Sequence, residues 1–494
     1  MNKLITYIVN NKYYINNVAL FVFCLCISSI LMNGHEIWRD EAQSFLIVRD
    51  SVSVYDIFIR TVNEGHPILW HSLIFPIVHI FKSITAFQMF HVCVSSLMMY
   101  VILKTFPFCL KTRILIIFGY FFLYEYNVFS RSYSLSVLLI FLLLSAYNDK
   151  NNNFKSNAFL LFCLPNINAM SLIFSLCFVS VDLIFFIIRD KQYIKQKICV
   201  YASAFLGIYL SFVQILRAGT SHLEEYNSLS VALKSILSSF FPVPQMQVNF
   251  WQNCIVNNDY NIKVLCTAIV CLLLILYIYR LSKNKKIFVF FIVTSITYIM
   301  FFMFAYKCSI YHYGFIYITF LFCECALRKS GKILDTRKIT NITIEKIFNI
   351  FFSAVLYIHA FSGVFAGLID IKYEFSGAYA VSCFLKSASL LNVPISAYPD
   401  YLATGVIAYA GISSFYSPQT SIKQSYIDWE ERKKLCKNSN ESCNLTRQQS
   451  KLLDTDYILL THTKISNKEE YLMFRTEAQI CEDETMFVYL IKHQ

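Results

Sequence analysis

Asp40 and Glu41 stand side by side in HEIWRDEAQSFLIVRD, residues 35–50, directly after the apolar stretch VALFVFCLCISSILMNG, in a chain of which only 15% is charged. A carboxylate so placed can take a proton from an attacking hydroxyl or amine as a general base. Elsewhere, Glu64, His66, His71, Glu125, Arg131, Lys307 and His312 sit at or near the ends of apolar runs. Ionisable groups at membrane depth are costly and mark functional positions. Arg and Lys hold phosphate oxygens. Carboxylates beside cations therefore suit a reaction in which an anionic leaving group departs while a nucleophile is deprotonated, and a phosphate carried by a lipid would lie at this depth.

Each group also has a plainer role. Asp40 and Glu41 would favour the dipole of a helix opening at AQSFLIVRD. Glu64 and His66 would end a loop before Pro67, since the residue before a proline avoids helix. Arg131 would snorkel from a helix end. Glu64 with His66 and His71 is the only set that suggests a divalent cation, and its spacing is not the i, i+4 of a helical metal pair, so a bound metal is the minority reading. Glu224 and Glu225 read as solvated loop residues.

Composition makes the elements that hold these groups membrane spans. The chain has 494 residues, 56% of them hydrophobic, and a mean hydropathy of +0.51, outside the range of soluble domains. The 46 Phe and 33 Tyr, beside only 12 Gly, match the bias of an AT-rich coding sequence, so the aromatic excess is discounted. The net charge of +12 comes from Lys and Arg clustered between apolar segments, which makes it topology and excludes a nucleic-acid partner. Most of the 17 Cys lie inside apolar runs such as FVFCLCISS, with no CxxC or zinc spacing. The N-terminus, with Lys3 and Lys12 before an apolar stretch that lacks a small-residue cleavage site, reads as a signal anchor.

Runs of roughly 20 apolar residues, with allowance for tilt, fall near 17–33, 85–103, 114–129, 132–147, 157–174, 172–188, 198–216, 263–279, 287–306, 310–327 and 346–369. Leaving out the short run 67–81 places every basic loop, from Lys104–Arg113 to Arg328–Lys338, on the side of the N-terminus. The expectation is about 11 spans, N-terminus in and C-terminus out, with 67–81 an interfacial or re-entrant helix. Asp40, Glu41, Glu64, His66, His71, Glu125, Arg131, Lys307 and His312 then gather on the outer face.

WRDEAQSFLIVRD after the first span, EGHPILW before the short helix and FFLYEYNVFSRSYSLSVLL at the end of the third span resemble the GT-C superfamily of membrane glycosyltransferases. The likeness is greatest to the protein mannosyltransferase and aminoarabinose transferase branch, including bacterial family 39-like enzymes. The resemblance implies a GT-C transmembrane catalytic domain over 1–369, with a first extracytoplasmic loop at 34–84. It further implies a donor sugar on a polyprenyl phosphate, inverting transfer to a glycan, lipid or protein acceptor, and a bacterial inner-membrane location with the site facing the periplasm. Asp40 falls on the family's catalytic acid position and Glu41 on its companion. Arg131, with Lys307 and His312 of the late loop KCSIYHYGF, would hold the donor phosphate. Glu64, His66 and Tyr133 would shape the site or hold the acceptor. The chain lacks the WWDYG-type motif of oligosaccharyltransferases.

From about 370 the composition turns polar. YEFSGAYAVSCFLKSASLLN and DYLATGVIAYAG read as helices, and VPISAYP, ISSFY, TDYILLTH and MFVYLIKH as strands, which makes 370–494 a small extracytoplasmic α/β domain. Asp400 is expected to cap the helix that follows it. Cys436 and Cys443 are either a disulfide or two thiols. Two other classes stay open: a lipid or solute transporter or flippase, for which Asp182 is a charge within a middle span, and a non-catalytic envelope-assembly protein of the same fold.

Overall fold

The computed structural model describes residues 2–146, 153–189, 193–217, 229–306, 308–331, 339–427, 429, 435–466 and 471–493, and Glu224, Glu225 and Lys307 lie outside the described residues. Helix α1 (Asn2–Gly34) carries the first apolar run. The loop after it folds into three short helices, α2 (Arg39–Asp50), α3 (Val54–Arg60) and α4 (Leu69–Phe81). Then come α5 (Ile84–Thr105), α6 (Leu110–Ile117), a π-helical turn at Phe121–Glu125, α7 (Tyr133–Ala146) and α8 (Phe154–Cys163), which runs into a 3-10 turn at Leu164–Asn166. Helices α9 (Ala169–Arg189) and α10 (Ile194–Leu216) precede two shorter ones, α11 (Leu229–Phe240) and α12 (Ile255–Asn258). The set ends with α13 (Tyr260–Leu281), α14 (Lys285–Phe304), α15 (Ile310–Lys329) and α16 (Ile339–Lys372).

Among the described residues, eight helices are long and apolar enough to cross a membrane: α1, α5, α9, α10, α13, α14, α15 and α16. Three of the eleven apolar runs are not helices of that length. The run 114–129 is divided at Gly119 between α6 and the π-helical turn, 132–147 becomes the 14-residue α7, and 157–174 is interrupted at Pro165, whose missing N–H breaks helical pairing. The run 67–81 is the 13-residue α4, short of a span, with Leu73, Ile80 and Phe81 exposed and Trp70, His71, Ile74 and Val78 turned inward. Helix α15 is the most enclosed, with 89% of its span buried. Gly314 makes this packing feasible, because a Cβ there would lie 2.3 Å from the Tyr126 hydroxyl.

The segment from 378 onward contains α17 (Ala378–Ser387), β1 (Ile395–Tyr398), α18 (Tyr401–Ala410), β2 (Phe415–Ser417), β3 (Ile422–Gln424), α19 (Ser439–Leu453), β4 (Tyr457–Thr461), β5 (Tyr471–Arg475) and β6 (Phe487–Ile491). The strands form one mixed sheet in the order β3-β2-β1-β4-β6-β5. Central β1 runs parallel to β2 and β4, with Ser396 opposite Tyr416 and Leu459, and the other pairings are antiparallel. The expected strands and helices of this region are present. The sequence reading passed over β3, β5 and α19, although α19 carries a plain start signal in Asn438, whose side chain accepts from the Glu441 N–H at 2.9 Å. Asp400 does not cap α18 with its side chain. Its carboxylate instead accepts from Ser417 Oγ at 2.7 Å and Gln424 Nε2 at 3.0 Å, tying the start of α18 to β2 and β3. Cys436 and Cys443 are both buried thiols.

Helix α1 meets α16 where Gly34 allows it, since a Cβ there would come within 2.7 Å of the Ile371 Cα. That approach brings His35 Nδ1 within 3.0 Å of Asp370, and its Nε2 lies 3.0 Å from Glu41 Oε2 at the start of α2. Glu41 also accepts from the N–H groups of Trp38 and Ser130, so one carboxylate joins α1, α2 and the segment before α7. Burial opposes charge on His35, but Asp370 and Glu41 outweigh it and push its pKa up to about 10. A group raised from 6.5 stabilises the fold fully below that pH and loses its contribution as pH climbs toward about 10. Thermal unfolding of the detergent-solubilised chain should therefore show a midpoint that falls between pH 6.5 and 10, and His35→Gln should flatten that slope. Removing the imidazole with His35→Ala should cost about 3–5 kcal/mol, the usual effect of stripping one partner from a buried ion set.

Candidate functional site

At the end of the helix bundle that meets the sheet, a cleft of about 580 Å³ opens between the first loop, α11, the 249–254 turn, the start of α15 and the tail at 480–483. Trp38, Arg39 and Asp40 contribute one wall because α2 starts there, with Trp38 as its N-cap and Glu41 turned back onto the Trp38 N–H at 2.8 Å. Gln252 sits on the floor in the left-handed region, φ +65°. Trp251 beside it stacks on Phe129 at 5.4 Å and meets Trp38 edge-on at 4.7 Å.

Asp40 faces this cleft, and its Oδ2 lies 3.2 Å from Arg131 Nη1. The guanidinium is enclosed by three aromatic rings, its central carbon 5.4 Å from the centroid of Trp38, 5.1 Å from Tyr133 and 5.2 Å from Tyr311. Such a box favours a cation by its ring faces and keeps water off it. Arg131 Nη1 makes no aligned hydrogen bond, so its contact with Asp40 is ionic, and the guanidinium also interacts with the Tyr311 hydroxyl. Chemically, the pair offers a carboxylate that can take a proton next to a caged cation that can take an oxyanion.

The other expected residues divide. Glu64 joins the site: its Oε1 accepts from Gln43 Nε2 at 2.8 Å. Burial pushes its carboxyl up to about 7, Asp40 adds to the rise, and Gln43 and Arg131 oppose it. His66 lies close enough to act electrostatically on His312. Tyr133 is buried against Arg131 and 3.0 Å from His312 Nε2. His312 stands behind Tyr133, with both ring nitrogens engaged inside the protein, so it does not present a free cation to a phosphate. Glu41 is wholly buried with its oxygens on His35, Trp38 and Ser130, which makes it a support of the loop and removes it from the cleft surface. Lys307 lies outside the described residues. Glu125 is buried at the end of the π-helical turn, accepting from the Tyr120 hydroxyl at 2.7 Å. Among the described residues no three metal-ligating side chains converge, and Glu64 and His66 do not form such a group. Asp182, the charge suited to a transport path, pairs with Lys197 at 3.0 Å, with Lys286 and with the Tyr201 hydroxyl at 2.8 Å.

Several cleft residues escaped the sequence reading. Lys234 of α11 is an exposed cation on its wall. The tail supplies Asp483, 2.6 Å from Arg39 Nη1, and Glu484, which accepts from the Arg39 N–H at 3.1 Å. Burial works against the Asp483 charge, yet Arg39 holds the carboxyl below the usual range. The acidic run CEDE, residues 481–484, was the available signal, but nothing local says that it folds back onto Arg39. Gln43 was the other omission. Its amide donates to Glu64 and to the Ile427 carbonyl at 2.7 Å, and its oxygen accepts from the Ile427 N–H at 2.8 Å, pinning the tail to the first loop. Gln43→Ala should leave these partners unmatched and cost about 1–3 kcal/mol. Faster hydrogen exchange at the Ile427 amide, with little change at β4, is the signature to look for.

No family model matches the chain, and no curated protein matches it.

Proposed function

We propose that the chain is an integral-membrane inverting glycosyltransferase that moves a sugar from a polyprenyl phosphate to an acceptor on the extracytoplasmic face. The single observation that carries this reading is the Asp40–Arg131 pair at the cleft, a proton acceptor 3.2 Å from a caged cation at the end of a bundle of span-length helices. The resemblance of WRDEAQSFLIVRD, EGHPILW and SRSYS to GT-C motifs supports it. In this reading the eight long helices, joined by the shorter helical segments over 110–125, 133–146 and 154–166, carry the chain from a cytoplasmic N-terminus to a site on the outside, in a bacterial inner membrane.

The chemistry follows from the geometry. The donor phosphate displaces Asp40 from Arg131, so the guanidinium neutralises the leaving group as the glycosidic bond breaks. Freed from the ion pair, Asp40 takes the proton of the acceptor hydroxyl as its oxygen attacks the anomeric carbon from the opposite face, inverting the configuration. The aromatic walls exclude water that would otherwise hydrolyse the donor. Glu41 positions Asp40 through its hold on His35 and Ser130. Glu64, with a carboxyl pushed up to about 7, gains charge as pH rises through neutrality and then helps orient the acceptor hydroxyl.

Turnover of the purified chain with a panel of polyprenyl-phosphate sugars tests the proposal. Asp40→Asn should lower kcat by about 10²–10⁴-fold, the usual contribution of a general base, with donor KM little changed. If it leaves transfer intact, Asp40 is not the base. The wild-type rate should fall as pH drops below about 7, and Glu64→Gln should remove that inflection. Movement of lipid or solute in vesicles without any donor consumption would favour the transporter class instead.

A further inference from the structure

We propose that the Tyr133 hydroxyl is a second hydrogen-bond donor to the anion bound by Arg131, aimed by a relay that begins at the Ser309 backbone and passes through His312. This rests on the reading above and sharpens it, because it gives the phosphate a neutral donor beside the cation and assigns His312 the part of a positioning residue.

The relay follows from hydrogen-bond logic. The Ser309 N–H donates to His312 Nδ1 at 3.0 Å. A ring nitrogen that accepts carries no proton, so the neutral imidazole bears its proton on Nε2. Nε2 lies 3.0 Å from the Tyr133 hydroxyl oxygen, which must therefore accept. The phenolic hydrogen then points elsewhere. Tyr133 is only 3% exposed, and no acceptor for that hydrogen is found among the described residues. The ring sits 5.1 Å from the Arg131 guanidinium carbon, and the groups within electrostatic reach of its hydroxyl are Arg131, Asp40, Tyr306 and Tyr311.

Two buried donors thus share one aromatic box, the Tyr133 O–H and Arg131 Nη1, the latter in ionic contact with Asp40 but without an aligned hydrogen bond. Buried donors are normally satisfied, so two donors without good hydrogen bonds suit a ligand rich in acceptor oxygens. A phosphate ester fits: it offers several oxygens to two donors from different directions, and its charge matches one cation. His312 adds no charge of its own, because its second nitrogen is committed to the Ser309 amide. Its contribution is direction.

The test uses the full chain in detergent and three probes, farnesyl phosphate, farnesol and inorganic phosphate, with thermal unfolding run in parallel to confirm folding. Tyr133→Phe keeps the ring that packs on Arg131 and removes only the donor. It should weaken farnesyl phosphate binding by about 10–100-fold, the worth of one hydrogen bond to a charged group, and leave farnesol unaffected. His312→Phe should produce a smaller loss of the same kind, and the ¹⁵N shifts of His312 in the wild type should report a proton on Nε2 alone. Inorganic phosphate that binds with the same Tyr133 dependence supports recognition of the phosphate itself, and binding of farnesyl phosphate alone supports recognition in a lipid headgroup. Should Tyr133→Phe bind farnesyl phosphate like wild type while Arg131→Met loses it, Tyr133 is no donor although the phosphate reading stands. Absence of wild-type binding to either phosphate overturns both.

Discussion

One buried imidazole holds the candidate site in place. His35 lies between Asp370 at the end of α16 and Glu41 at the start of α2, fully enclosed. Two carboxylates flanking one protonated ring cannot be rearranged cheaply in a medium of low dielectric. The last turn of α1, the loop carrying Asp40 and the Ser130 backbone are therefore set relative to one another before any ligand arrives. Gly34 is the steric condition for this arrangement, because any larger residue would push α1 off α16.

On that base the cleft is assembled from parts of the chain that have little in common locally. Asp40 comes from the loop, Tyr311 from the start of α15 and Asp483 from the tail, while Arg131, from the turn before α7, stands behind Asp40. The sheet acts as more than an appendage: α18 packs against α2, Gln43 grips Ile427, and Arg39 is held by Asp483 and stacks over Tyr401 at 4.3 Å. This second layer leaves the Arg131 guanidinium largely enclosed while Asp40 stays partly open to the cleft, and enclosure strengthens the charge interaction between them.

The other end of the bundle uses charge differently. Arg280 is buried on Glu324 in a two-pronged contact at 2.7 and 3.2 Å and on Glu345 at 2.9 Å, while Arg328 reaches the same Glu324 at 2.7 Å. Asp182 is matched by Lys197 and Lys286. These groups have their hydrogen-bond needs met within the protein and fasten helix ends. At the cleft, in contrast, Arg131 Nη1 meets Asp40 without an aligned hydrogen bond.

The amino-acid sequence by itself determined the membrane class, the positions of the eight long helices, most of the sheet strands and the chemical types at the site. Each of these depends on properties that accumulate locally, such as hydrophobicity over a run, alternation in a strand or a carboxylate beside a span. Asp40 and Arg131 were legible for that reason. Tertiary structure alone decided which charge meets which. Glu41 resembled Asp40 in sequence, yet the approach of α1 to α16 buries it under His35. His312 resembled a phosphate ligand, yet the Ser309 amide and Tyr133 claim both its nitrogens. The Asp483–Arg39 and Gln43–Ile427 contacts join residues hundreds of positions apart, and no local pattern encodes them, because partner choice between distant segments is set by how the whole chain packs.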